Sequence, residues 1–570
     1  MTEAPAIHSD KQLAPPEHAS PAARTSRERL LFYALGTAAL ICAFVAGLRT
    51  IAEFDLGWQT ATARWIVQHH QIPSTEIFSY TAAGQPWTYP IGSGLVFYAL
   101  YLVGGYAFLS WLTAFGCAGT VALLLRRGSA VTAGLAILAV PLIASRVTAR
   151  AEMFTVVLFA ATLSVVLEQH ETGAARLWWL PVMMAVWVNL HPGFVAGLGL
   201  LGAYVMLELA DMFPAGTRTA AATRLRRAAP WLIVTGAATL VNPWGWRVYD
   251  VLSRQEAAMA VHSQLIMEWA PIPLDWTHIK SGLSPFTPDI FYVLLTVVAL
   301  AVPLALARRR VGEAILLGGA AFFPIRHVRF TALFSVVVVL VGGAVLASFL
   351  PVLESKIRRA RVRLIFAVAA SALLAGTAAV RIWDMVTDRA YRTGSEIVSF
   401  GTGLSWWFPQ AAAAFIEREN LPGQIFSTGS EGAYMAFRLG PKYKNYIDGR
   451  AIPFGTELML RSGRLKATPP DSPEWQHESE RYGINTILVP IGRYGALQFF
   501  PVLKQFCASD VWAPVYLDEV GAVFVRHSPE TESLIGRLKV DCSTVPLPAA
   551  TPVGNGTQAF NQWANAAAVL

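Results

Sequence analysis

Six short stretches of this chain set ionisable or amide side chains beside aromatic residues and turns. Glu53 and Asp55 lie in Glu53-Phe-Asp-Leu-Gly-Trp58, and Arg146, Arg150 and Glu152 fall close together. Asn189 and His191 lie in Trp187-Val-Asn-Leu-His-Pro-Gly193, and Asn242 opens Asn242-Pro-Trp-Gly-Trp-Arg247. Glu268 precedes Trp269, and Arg326, His327 and Arg329 stand in Pro324-Ile-Arg-His-Val-Arg-Phe330. A carboxylate such as Asp55, with Glu53 as its competitor, can take a proton from an incoming hydroxyl, and partial burial raises its pKa toward the useful range. The other reading of Asp55 is an N-cap for a helix starting at Leu56. Guanidinium groups offer paired donors to phosphate, so Arg146, Arg150, Arg326 and Arg329 are candidates for an anionic ligand, with His327 beside them. Their alternative is to meet ordinary lipid headgroups or to pair with Glu152 and Glu268. Asn189, His191, Asn242 and Glu268 are further candidates for substrate binding. Asp55, His191 and His327 could together hold a divalent metal, but no H-x-x-x-H spacing singles them out. A hydrogen bond to phosphate or a structural role is the competing reading of each histidine.

The elements that must position these groups are apolar helices. The chain has 570 residues, 54% hydrophobic and 14% charged, with a mean hydropathy of +0.45, against about 25% charged in soluble proteins. An ordinary soluble enzyme, a disordered chain and a fibrous protein are excluded, and four cysteines do not make a disulfide scaffold. Apolar segments run over about 30–51, 106–125, 130–145, 153–168, 177–190, 194–212, 230–241, 288–307, 312–325, 330–351 and 363–381. The net charge of +8 sits in clusters between these runs rather than in a phosphate-tracking stripe, so no nucleic acid is expected. The clusters are Arg24, Arg27 and Arg29; Arg126 and Arg127; a loop with Arg218, Arg224, Arg226 and Arg227; Arg308, Arg309 and Arg310; and Lys356 to Arg363. With about 11 transmembrane helices and the N-terminus inside, every cluster falls on the cytoplasmic side. The run 91–104 then lies in the interface instead of crossing. All six polar stretches come to the outer face, where Arg146, Arg150, Arg326 and Arg329 break the positive-inside trend.

This topology predicts a disordered cytoplasmic tail over 1–29, a transmembrane domain over 30–381 with a first outer loop at 53–104, and an extracytoplasmic α/β domain over 382–545. Strand-like runs at Gln424–Ser427, Asn445–Asp448, Asn485–Val489 and Ala522–Arg526 alternate with helical stretches such as Pro409–Glu419. Cys507 and Cys542 share the oxidising side, either as a disulfide or as two free thiols. Asp448 and Arg450, in Ile447-Asp-Gly-Arg-Ala451, read as a turn with a salt bridge. Residues 546–570 read as a disordered tail.

The first outer loop carries Phe54-Asp-Leu-Gly-Trp-Gln-Thr-Ala-Thr-Ala-Arg-Trp-Ile66, Ile72-Pro-Ser-Thr-Glu-Ile-Phe-Ser-Tyr-Thr81 and Gly84-Gln-Pro-Trp87. It resembles that of bacterial GT-C superfamily membrane glycosyltransferases of the protein mannosyltransferase and aminoarabinose transferase group. Asn189-Leu-His-Pro-Gly193, Asn242-Pro-Trp-Gly-Trp246, Glu268-Trp269, Arg326-His327, Gly432-Ala-Tyr-Met-Ala-Phe-Arg438 and Tyr446-Ile-Asp-Gly-Arg450 follow in the same order, over most of residues 30–527. The pattern departs from mannosyltransferases where Leu56, not Glu, follows Asp55. The resemblance implies a multi-pass protein of the bacterial cytoplasmic membrane that moves a sugar, with inversion, from a polyprenyl-phosphate donor to an acceptor hydroxyl. That acceptor is an extracytoplasmic glycan, lipid or protein. Asp55 matches the family's loop carboxylate. Trp58 and Trp269, with Trp87, Trp244 and Trp246, are then candidates for a sugar platform. Two rival readings remain: a non-catalytic GT-C-fold subunit with a protein partner docked on 382–545, and a transporter. Against the transporter, the ionisable groups lie at the outer face rather than the midplane.

Overall fold

The computed structural model describes residues 26–126, 128–254, 266–284, 290–357, 359–391, 397–491, 502–518 and 520–543. Residues 1–25 of the N-terminal tail, Arg127, Arg358 and the 546–570 tail lie outside them. Helices α1 (Ser26–Gly47), α2 (Asp55–His69), α3 (Gly92–Leu125), α4 (Ala130–Arg146), α5 (Glu152–Thr172), α6 (Trp179–Leu190), α7 (Phe194–Met212) and α8 (Arg218–Ala238) come first. Helical segments Phe291–Ala307, Val311–Arg326, Val328–Lys356 and Ala360–Val386 follow. A helix lies over each apolar segment expected from the sequence. Six of the helices among the described residues are long and apolar enough to cross a membrane by length and composition.

α3 is not one rod. Gly104 (φ −148°) and Gly105 (φ +59°, ψ −152°) leave helical space, so 92–103 and 106–125 are separate helical pieces. A side chain at the second position would be strained, and glycine is not. In α4, Pro141 has no N–H for the Ile137 carbonyl. Arg381, from Ala360–Val386, donates to that carbonyl at 2.7 Å. The arginines expected in a loop at 218–227 instead form the first half of α8, because the alanines among them favour helix. Arg224 there pairs with Glu208 at 2.8 Å and Asp211 at 2.9 Å.

The C-terminal region is built on a four-stranded sheet, order β1-β2-β4-β3, from β1 (Gln424–Ser427), β2 (Ile484–Pro490), β3 (Trp512–Leu517) and β4 (Gly521–Arg526). β1 runs parallel to β2, and the other two pairings are antiparallel. Side chains alternate between the two faces. Phe426, Ile487 and Phe524 join a cluster with Tyr446, Trp475 and Phe506, whereas Ile425, Leu488, Val523 and Val525 pack on the other face with Ile416 and Met435. Asn445–Asp448, expected as strand, makes only isolated bridges from Asn445 to Ser79 and Ile425. Cys507 and Cys542 are joined in a disulfide.

This region sits directly on α2. Gly57 lies so close to the Ala433 carbonyl, in the helix Gly429–Arg438, that any Cβ would overlap it. The Ile51 amide donates to Gly403 at 2.8 Å and the Thr50 amide to Ser399 at 3.0 Å, tying the exit of α1 to the same region.

Candidate functional site

Residues far apart in sequence meet at the ends of α1, α4, α5 and Val311–Arg326. Arg150, in the turn between α4 and α5, is their hub. Its Nη2 lies 3.1 Å from Asp55 Oδ2, its Nη1 2.6 Å from Glu268 Oε1, and its Nε 3.9 Å from both Glu53 Oε2 and Glu152 Oε2. Arg146 Nη1 lies 2.8 Å from Glu268 and 3.8 Å from Glu152, and Arg329 Nη2 lies 3.6 Å from Glu152. Four carboxylates thus surround three guanidinium groups. Charges this buried are stable only when paired.

Asp55 opens α2. The N-cap position is Phe54 and no side-chain cap bond forms, so the capping role is not the one observed. Instead, Oδ1 accepts from Trp58 Nε1 at 3.1 Å while Oδ2 faces Arg150. Burial pushes the Asp55 carboxyl up to about 6; Arg150 opposes this and Glu53 adds to it. Glu53 Oε1 is taken by the Thr148 hydroxyl at 2.9 Å. Glu268 goes the other way: burial would raise it, but Arg150, Arg146 and Arg329 hold it down to about 2.

The two histidines use Nδ1 in opposite senses. Gly193 N–H donates to His191 Nδ1 at 3.0 Å, so that nitrogen is an acceptor and the proton sits on Nε2. Thr155 Oγ1 lies 2.9 Å from the same nitrogen and itself accepts from Trp187 Nε1. Burial pushes His191 down to about 3, so the ring is neutral. His327 Nδ1 faces the Trp269 carbonyl at 2.8 Å and therefore donates.

Not every candidate joins the cluster. Arg326 is exposed and has no side-chain partner among the described residues. Asn189 spends its amide on the carbonyls of Ala185 and Val241, and Asn242 binds within its own turn, so these side chains shape loops. Trp269 stacks under Arg329 at 4.1 Å, Trp87 packs on Trp244, and Trp246 is exposed. Trp58 is buried, with Tyr89 at its edge, so it is no open platform. The arrangement does not gather a divalent-cation site at Asp55: among the described residues Asp55, His191 and His327 do not bring ligand atoms within 4.8 Å of one another, and the cluster carboxylates already face guanidinium groups. His170, Glu208 and Asp211 do place ligand atoms within 4.8 Å of one another, but Arg224 occupies that corner.

The alternative reading of the arginines, pairing with Glu152 and Glu268, is the arrangement observed for Arg146, Arg150 and Arg329. Glu76, whose carboxylate pairs with Arg450 of the C-terminal region, was not among the expected site residues.

No protein-family model matches this chain, and no curated protein matches it. Solved structures do. Archaeal oligosaccharyltransferase AglB from Archaeoglobus fulgidus, in complex with an inhibitory peptide and a dolichol-phosphate, aligns with a TM-score of 0.50 at 11% identity, over 82% of this chain and 69% of that chain. The Archaeoglobus fulgidus oligosaccharyltransferase tethered to an acceptor peptide containing the NVT sequon aligns with a TM-score of 0.51 at 10% identity, over the same shares. ArnT from Cupriavidus metallidurans, bound to undecaprenyl phosphate, aligns at 0.43 and 14% identity, over 89% of this chain and 99% of that chain. What this chain shares with the oligosaccharyltransferase is the fold, the GT-C fold that the sequence resemblance implied.

Proposed function

We propose that this protein is an inverting membrane glycosyltransferase that moves a sugar from a polyprenyl-phosphate carrier to an acceptor hydroxyl outside the cytoplasmic membrane of a bacterium. The fold, and the dolichol-phosphate held by the oligosaccharyltransferase, support a lipid-borne donor. The basic clusters support eleven crossings over 30–381, with the N-terminus inside and the 382–545 domain outside. On this reading Asp55 accepts the proton of the acceptor hydroxyl. The acceptor oxygen forms a bond to the anomeric carbon as the bond from that carbon to the phosphate oxygen breaks. Arg326, the exposed guanidinium, meets the departing phosphate beside His327. Arg146, Arg150 and Arg329 supply the positive field behind it as negative charge develops.

The observation that carries this reading is Asp55 itself. It is a half-buried carboxyl raised to about 6, close to working pH and anchored on both oxygens. Asp55→Asn keeps the shape and removes the base. Sugar transfer from a synthetic polyprenyl-phosphate sugar in membrane vesicles should fall by roughly 10²- to 10⁴-fold while membrane insertion is unchanged. Wild-type transfer in that variant would remove Asp55 from the mechanism.

A further inference from the structure

The C-terminal region reaches Asp55 through the segment Ile447-Asp-Gly-Arg450. Gly449 presses on the carboxylate: a Cβ there would meet Asp55 Oδ1 and the ring of Phe54. That turn is held by three buried charges. The Arg450 backbone N–H donates to Asp448 Oδ1 at 3.0 Å, and its guanidinium grips the same carboxylate with Nε at 2.8 Å and Nη2 at 2.5 Å. Arg450 Nη1 pairs with Glu76, which belongs to the first outer loop. The other Glu76 oxygen accepts from the backbone N–H groups of Phe78 (2.6 Å) and Ser79 (3.0 Å). Asn445 Nδ2 closes the remaining side of Asp448 at 3.3 Å. The Arg450 guanidinium also lies over the Trp58 ring, 5.5 Å from its centroid, and Trp58 is the residue that donates to Asp55 Oδ1.

We propose that Arg450 is a positioning residue for Asp55. Clamped between Glu76 and Asp448, it holds the 447–450 turn over the carboxylate and keeps Trp58 against it, so the site is complete only with the two halves of the chain docked. This rests on Asp55 being the proton acceptor proposed above, although the geometry itself does not. A guanidinium suits the task because its planar fork satisfies two carboxylates at once. Removing one partner of such a buried set leaves the others unpaired, so the turn moves.

The test uses the full chain in lipid nanodiscs, labelled with 5-fluorotryptophan. The Trp58 ¹⁹F resonance is identified by its loss in Trp58→Phe. In Arg450→Gln that resonance should shift and broaden, while those of Trp475 and Trp512, deep in the C-terminal core, stay in place. Transfer from a polyprenyl-phosphate sugar should lose at least tenfold in kcat, with the KM for donor within twofold, because the donor phosphate is held elsewhere. If Arg450→Gln disturbs Trp475 and Trp512 as well, Glu76→Gln, which leaves the Arg450–Asp448 pair intact, carries the test alone and should give the same Trp58 change. An unmoved Trp58 resonance in the informative variant overturns the proposal. Full transfer by Asp55→Asn would instead sink the proton-acceptor reading, and the resonance of Trp58 reports separately from it.

Discussion

On the proposed function, Asp55 takes the acceptor proton only when ionised, so its raised folded-state pKa sets the acid limb of transfer. With that value at about 6 instead of the ordinary 3.8, roughly one tenth of the molecules carry the carboxylate at pH 5 and about nine tenths at pH 7. The initial rate of sugar transfer at low donor concentration should therefore rise about tenfold between those two pH values. A solvent-exposed aspartate would be almost fully ionised at both, and the rate would hardly change. Arg150 is the largest influence that lowers the value, at 3.1 Å from Oδ2. Charges about 4 Å apart at an effective dielectric near 20 interact by about 4 kcal/mol, so Arg150→Met should move the midpoint upward by up to roughly three pH units. The assay is a pH–rate series from about 4.5 to about 10 in proteoliposomes, for wild type and Arg150→Met. A wild-type profile flat between pH 5 and 7, or an Arg150→Met midpoint that falls, would refute the reasoning.

Three further outcomes follow from the packing. Arg381→Leu strips the donor from the Ile137 carbonyl beside Pro141 and should cost about 1–3 kcal/mol, read as a lower Tm in detergent. Gly57→Ala forces a methyl group onto the Ala433 carbonyl; overpacking of about 1–3 kcal/mol should loosen the C-terminal region and speed its cleavage by added protease. Cys507→Ser with Cys542→Ser opens a loop with a sequence separation of 35, and chain entropy puts the loss at about 4 kcal/mol in chemical denaturation of that region.

The apolar helices were legible because burial in lipid or core needs a continuous run of apolar side chains, which is a local property. A boundary between 104 and 106 could be placed because counting 91–104 as a separate crossing would carry the following arginines to the wrong side, and the helix does break there, at Gly104–Gly105. Local reading failed where local chemistry misled it. The arginines of 218–227 looked like a loop, yet their alanine neighbours make helix. β3 was missed because Pro514 breaks a strand-like pattern, although it sits in the outer strand of the β1-β2-β4-β3 order, where proline is tolerated. For the candidate site, the residue types were readable and their distances were not. Nothing local separates Arg150, which touches four carboxylates, from Arg326, which touches none among the described residues. Glu76 and Arg450 pair across 374 positions, and no spacing rule reaches that far.

That long-range pair also sets a clock. A ribosome delivers the α1–α2 segment early and the 447–450 turn late. At roughly 5–20 residues per second, the 374 positions between Glu76 and Arg450 take about 20 to 75 seconds to make. Until then the growing polypeptide holds Asp55 without the turn that covers it. On the proposed function, a chain released prematurely, even one that inserts every helix, would transfer no sugar.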